Sequence, residues 1–260
     1  MNDTPTIGLI GLGLMGRGIA TCLLAHGFRV AAYDRVARQH KPFVSHIDAA
    51  LGELVRRRMA PRSRIRDRDA RLRILSSLRP MGECPFVIES IREDLASKRE
   101  TFERLEESLS PEAVIASNTS SIPITLLQQG RKHPQRFIGM HWAEPAEVTR
   151  YLEIIPGKET SRETVERTRR LGQQCGKEPA VLNFDIRGFI SNRMMYAMLR
   201  EACHLVESGV ADIEAIDRSF RNDIGWWATL AGPFRWMDLT GIPGYAAVME
   251  GLFPELSNAA

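Results

Sequence analysis

One glycine turn near the start of the chain limits its fold more than any other feature. An apolar run at residues 6–10 passes directly into Gly11-Leu12-Gly13-Leu14-Met15-Gly16, and Ile19, Cys22, Leu23 and Leu24 then recur at helical spacing until Gly27. A strand that turns through glycines straight into a helix leaves the first backbone N–H groups of that helix without intrahelical partners. A second apolar run at residues 28–33 ends at Asp34, and Ile47, Leu51, Leu54 and Val55 mark a helix over residues 47–59. Strand-like runs follow at residues 72–75, 86–88, 114–117, 137–141, 151–155 and 180–182, with a charged helix between Asp94 and Ser108. Strands alternating with helices predict a parallel sheet covered on both faces.

Each glycine of the turn has a physical task. Gly11 permits the sharp turn, Gly13 lets backbone N–H groups approach a pyrophosphate, and Gly16 lets the helix pack against the strand. The helix start, with Leu14 and Met15, favours negative charge. An acid about 20 residues on, in this chain Asp34, completes the Rossmann dinucleotide-binding fingerprint by accepting from ribose hydroxyls, and its charge repels a 2′-phosphate. NAD is therefore expected rather than NADP, although Arg35 next to it is a residue type that accommodates that phosphate. An ordinary glycine turn with an exposed aspartate is the simpler alternative, and the matched strand, helix and spacing favour the fingerprint.

The pattern changes after Asp185, where Ile190, Met194, Met198, Leu199, Ala202, Leu205 and Val206 fall at helical spacing and no strand follows. We expect an α/β, Rossmann-type doubly wound sheet over residues 1–185, followed by a smaller all-α domain over residues 186–260. Ser208-Gly209 ends the first helix of that domain, and residues 212–220 form another. Trp226, Trp227, Trp236 and Met237 suit a packed core or a subunit contact. Cys22, Cys84, Cys175 and Cys203 form no CxxC pair and no HExxH is present, so reduced thiols are expected and no metal site. No apolar run approaches the roughly 18 residues of a membrane span, and residues 1–6 carry no export signal, so no membrane role and a cytoplasmic location are expected.

Five further stretches carry the chemistry: VIESIREDLASK at residues 87–98, ASNTSS at 116–121, GMHWAEP at 139–145, LEII at 152–155 and GFISNR at 188–193. In this order they resemble the L-3-hydroxyacyl-CoA dehydrogenase family, and the resemblance covers nearly the whole chain. The glycine turn alone also resembles the short-chain 3-hydroxy acid dehydrogenases related to 6-phosphogluconate dehydrogenase, whose later lysine motif is missing from this sequence. The first resemblance implies oxidation of a secondary alcohol with NAD as hydride acceptor. Such a reaction needs a base, for which His141 is suited near neutral pH, and an orienter for that base, for which Glu153 lies on the next strand-like run after a proline turn. The blander reading is a satisfied histidine and a separate surface glutamate. By the same resemblance Ser120 and Asn192 donate to the reacting oxygen, and Glu93, Lys98 and Asn118 serve the cofactor. Caps or turns are the plainer roles for Asn118, Ser120, Ser121 and Asn192, and a solvated helix start for Glu93 and Lys98.

The net charge is only +3, yet Arg56, Arg57, Arg58, Arg62, Arg64, Arg66, Arg68, Arg71 and Arg73 crowd one segment. The family places a helical hairpin there that contacts coenzyme A, with Arg57 at a position where a base meets CoA phosphates; plain solvation is the alternative. The segment lacks the reading element or aromatic platform of a nucleic-acid site, so no such partner is expected. The sequence departs from the family at Glu144, which stands where asparagine is usual, in a shorter stretch between Leu78 and Phe86, and at Ala260, ahead of the usual glycine- and tyrosine-containing tail. The expected partners are an acyl-CoA substrate and a second copy of the chain in a homodimer. Two alternatives stay open: a dehydrogenase of a free 3-hydroxy acid, of the gulonate or carnitine type, and a non-catalytic dinucleotide-binding structural protein.

Overall fold

The computed structural model describes residues 4–258. Eight strands form one sheet: β1 (Thr6–Ile10), β2 (Arg29–Tyr33), β3 (Leu72–Leu75), β4 (Phe86–Glu89), β5 (Val114–Ser117), β6 (Phe137–Trp142), β7 (Tyr151–Pro156) and β8 (Glu178–Val181). Their order is β3-β2-β1-β4-β5-β6-β7-β8. The chain winds outward from β1 to β3 and then restarts at β4 on the other side of β1. That reversal opens a crevice at the carboxyl ends of β1 and β4, where open α/β sheets bind ligands.

Helix α1 (Leu14–Ala25) buries Ile19, Cys22, Leu23 and Leu24, the residues whose spacing marked it in the sequence. Helix α2 spans His40–Arg56 and buries Phe43, Ile47, Leu51 and Leu54. It starts seven residues before the expected residue 47, because Pro42 falls in the first turn, where a missing N–H costs nothing. Strands β4, β5 and β6 are buried along their whole length, as expected for strands covered on both faces.

The expectation of a parallel sheet fails at one pair. Strands β1 to β6 pair in parallel, but β7 runs antiparallel to β6. Only residues 143–150 join these two strands, and a parallel crossover needs a dozen or more residues, so the chain can only turn back.

No two-helix hairpin forms in the arginine segment. Arg58 takes a left-handed conformation, φ 60°, just past α2. The N–H of Met59 donates to Leu54 O at 2.8 Å and that of Arg58 to Val55 O at 3.1 Å, the paired bonds that close a helix end. Two single turns follow, Ser63–Arg66 and Arg68–Arg71, before β3. Several of the arginines act inside the fold. Arg68 pairs with Asp48 of α2 through two bonds of 2.8 and 2.9 Å, and Arg71 donates to Leu24 O, near the carboxyl end of α1, at 2.7 Å.

The chain divides into two compact units, Met1–Phe189 and Ile190–Ala260. Phe189, past the boundary expected at residue 185, is 1% exposed and belongs to the core cluster of Phe102, Phe137 and Leu182 in the first unit. Helices Ser191–Glu207, Ile213–Asn222, Pro233–Thr240 and Ile242–Leu252 dominate the second unit. Among the described residues, no helix is long and apolar enough to cross a membrane, and Cys22, Cys84 and Cys175 are buried free thiols whereas Cys203 is exposed.

Candidate active site

The glycine turn occupies the crevice at the strand-order reversal. Gly11 adopts φ +91°, and a Cβ there would be driven into the carbonyl oxygen of Ser90 at the end of β4. A Cβ on Gly16 would collide with the carbonyl oxygen of Gly11, so the start of α1 lies directly on the turn. Gly13 is different, because a Cβ at this position would have nothing within 4 Å. Gly13 is also the N-cap of α1, and no side chain caps the helix. An open helix start beside open space suits a phosphate.

Leu14 is exposed at this mouth, whereas the side chain of Met15 packs against the core; what each offers at the mouth is a first-turn N–H. The Asp34 carboxylate is fixed from both sides, Oδ2 accepting from Leu12 N–H at 2.9 Å and Oδ1 from Val36 N–H at 2.8 Å. Asp34 lines a cleft of about 250 Å³ with Gly11, Gly13, Arg35 and Ile91. A turn with room for the pyrophosphate and an anchored carboxylate beside an adenosine-sized cleft fit NAD.

A buried charge network borders this cleft. Glu89 and Lys98 have side chains of 0% exposure and form an ion pair at 2.7 Å. The remaining acceptor sites of Glu89 take Ile91 N–H at 2.7 Å and Ser117 Oγ–H at 2.6 Å. Lys98, expected to serve the cofactor, is instead enclosed, and it reaches the site through Glu93, whose Oε2 lies 3.6 Å away. The other oxygen of Glu93 accepts from Thr119 Oγ–H at 2.6 Å, Ser120 N–H at 3.0 Å and Ser121 N–H at 2.9 Å, so Glu93 shapes the loop that carries Ser120. Burial alone would raise the Glu93 carboxyl. The Thr119 hydroxyl, the Lys98 ammonium and the two backbone N–H groups outweigh it and hold the group below its ordinary value.

The capping roles weighed for the 118–121 loop do not occur. The next helix, Ile124–Gln128, begins after Pro123, and Thr119 Oγ accepts from Ile122 N–H at 2.9 Å to close the turn. Asn118 joins strand ends: its amide donates to Ser90 Oγ at 3.0 Å and its oxygen accepts from Trp142 N–H at 3.0 Å. Asn192 lies in the first turn of the helix Ser191–Glu207, whose N-cap is Ile190. Arg57 is the exposed C-cap of α2, and its guanidinium bonds Glu53 at 2.5 Å.

His141 and Glu153 come together as the sequence suggested. They are direct partners in the β6–β7 register, and Nδ1 lies 3.0 Å from Glu153 Oε2, with both residues buried. An ionised Glu153 can only accept, and beside it the proton belongs on Nδ1, leaving the Nε2 lone pair for chemistry. The sequence reading missed Tyr151, whose hydroxyl donates to the same Oε2 at 2.6 Å and lies 2.9 Å from Nδ1. Its signal was available, since Tyr-x-Glu on a strand places both side chains on one face. The rings of Tyr151 and Phe189 stand edge-on to the imidazole at 5.7 and 5.6 Å.

Comparison with known proteins decides the family. Residues 6–185 match the model of the 3-hydroxyacyl-CoA dehydrogenase NAD-binding domain, and residues 188–260 match that of the 3-hydroxyacyl-CoA dehydrogenase C-terminal domain. The chain belongs to the 3-hydroxyacyl-CoA dehydrogenase family. It is an NAD-dependent oxidoreductase of that type. Among its relatives, the 5-formyl-3-hydroxy-2-methylpyridine 4-carboxylate 5-dehydrogenase of Mesorhizobium japonicum is 34% identical over 97% of this chain and 81% of its own length. The 3-hydroxybutyryl-CoA dehydrogenase of Bradyrhizobium diazoefficiens is 32% identical over 97% and 85%. A crystal structure of a 5-formyl-3-hydroxy-2-methylpyridine 4-carboxylic acid 5-dehydrogenase, described as an NAD+-dependent dismutase, superposes with a TM-score of 0.92 at 32% identity, covering 99% of this chain and 82% of that one.

The Glu93 network has a pH signature. A carboxyl held below its unfolded value of 4.5 adds stability that is complete above that value and is lost as pH falls through the lower folded value. Glu93→Gln should therefore lower stability at neutral pH and flatten the loss of stability below about pH 4.5, as read by urea unfolding at a series of pH values. An unchanged acid limb would deny Glu93 this role.

Proposed function

We propose that the enzyme interconverts a small free hydroxy acid and its oxo compound, a substrate not carried on coenzyme A. The observation that carries this reading is the arginine segment. The hairpin expected to grip CoA is replaced by two single turns, Arg57 is already paired with Glu53, and Arg68 and Arg71 are committed to α2 and α1. The relative that acts on a pyridine carboxylate supports the same direction. Oxidation of an L-3-hydroxyacyl-CoA is the second reading, favoured by the 3-hydroxybutyryl-CoA dehydrogenase relative.

In either reading His141 Nε2 takes the hydroxyl proton as the carbonyl forms and returns it in reduction. NAD held at the glycine turn and Asp34 would supply the hydride acceptor for that carbon. Glu153 holds the ring and stabilises the imidazolium that results. Ser120, fixed by Glu93, donates to the reacting oxygen, and the family resemblance adds Asn192 as a second donor.

The assay follows NADH loss with acetoacetyl-CoA, free 3-oxo acids and aromatic oxo acids in parallel. Our reading expects kcat/KM for the best free acid to exceed that for the thioester by at least about tenfold. Preference for the thioester would establish the acyl-CoA reading instead. The helical unit exposes Met194, Tyr196, Leu199, Trp226 and Phe234, and we propose that a second copy covers this apolar surface in a homodimer. Sedimentation equilibrium should return the mass of two chains, and a single-chain mass at micromolar concentration would overturn the dimer.

A further inference from the structure

We propose that Tyr151 is a third member of the acid–base unit, a positioning residue that keeps the proton of His141 on Nδ1. The inference rests on His141 acting as the base, and it concerns a residue to which the family resemblance assigns no role. Tyr151 and Glu153 are two apart on β7 and face the same side of the sheet, and Glu153 is register partner of His141 on β6. Three polar groups therefore meet: Glu153 Oε2 is 3.0 Å from Nδ1 and 2.6 Å from the tyrosine oxygen, which is itself 2.9 Å from Nδ1.

With Glu153 ionised, one assignment of protons satisfies this triangle. The ionised carboxylate donates nothing, so the phenol O–H points at Oε2. The tyrosine oxygen then offers its lone pairs to Nδ1, which meets two acceptors and has to be the protonated nitrogen. A proton on Nε2 would instead set the bare Nδ1 lone pair against both oxygens. Without the tyrosine oxygen, Nδ1 would lose one of these two acceptors. Tyr151 adds that second acceptor for Nδ1 and a hydrogen bond to the carboxylate oxygen that faces the ring. The rings of Tyr151 and Phe189 also stand edge-on against the imidazole.

The variant Tyr151→Phe keeps the ring and removes only the oxygen. Nitrogen-15 NMR of the imidazole reads the tautomer without any substrate, and steady-state kinetics with whichever substrate is turned over reads the consequence. We expect the Nδ1–H tautomer alone in the native enzyme and a detectable share of Nε2–H in the variant. With it, kcat should fall about tenfold while KM stays within about twofold, with unchanged NADH affinity and thermal midpoint. An unchanged tautomer in the variant would overturn the proposal. So would a joint loss of NADH affinity and thermal stability, which would assign Tyr151 a packing role. A native enzyme with its proton on Nε2 would overturn the base assignment itself and the proposal with it, so the two failures are separable.

Discussion

The antiparallel pairing of β6 and β7 is the constraint from which the chemistry of this enzyme follows. Side chains on a strand alternate between faces, so His141 and Glu153 meet only because the register makes them direct partners. A slip of one residue would send Glu153 and Tyr151 to the opposite face of the sheet. The connection that sets this register, residues 143–150, is held from outside. The buried ammonium of Lys177, just ahead of β8, donates to the carbonyl oxygens of Ala146 and Thr149 and lies 5.1 Å from the centre of the Trp142 ring. Strands β6 and β7, their turn and the entry to β8 are thus tied together around one imidazole.

The cofactor side relies on a different balance of forces. Glu89 and Lys98 are charges removed from water, and each loses several kcal/mol of hydration, roughly, on burial. Three hydrogen bonds to Glu89 and the second carboxylate near Lys98 offset that cost. Such a pair is poor evidence of stability gained, but removing one partner would strand the other charge, at about 3–5 kcal/mol. Its geometric effect is clearer. The pair joins the ends of β4 and β5 to the helix Leu95–Glu106, and through Glu93 it fixes the backbone on which Ser120 sits.

Much of this was legible from residues alone, for identifiable reasons. The strand, glycine turn, helix and Asp34 lie close together in sequence, so local spacing captures them. His141 and Glu153 were legible because a short turn joins their strands. The same short turn should have signalled the antiparallel pair, which strand–helix alternation obscured. Glu89 ends an apolar run and resembles a solvent-facing strand end, and Lys98 falls in a charged helix, so nothing local reveals that the two meet in the core. The Arg57–Glu53 pair lies four residues apart on one helix and was open to sequence reading, but the fate of Arg68 and Arg71 depended on Asp48 and the carboxyl end of α1, partners that only the folded chain brings near.

The central claim is that His141 and Glu153 work as one unit, and a double-mutant cycle on turnover tests it most directly. His141→Ala, Glu153→Gln and the double variant would be compared for kcat with a common substrate, after confirming that each binds NADH. If Glu153 acts only through the imidazole, the double variant should be no slower than His141→Ala alone. If the two losses multiply, Glu153 serves the reaction independently of His141, which contradicts its role as the orienter of the base.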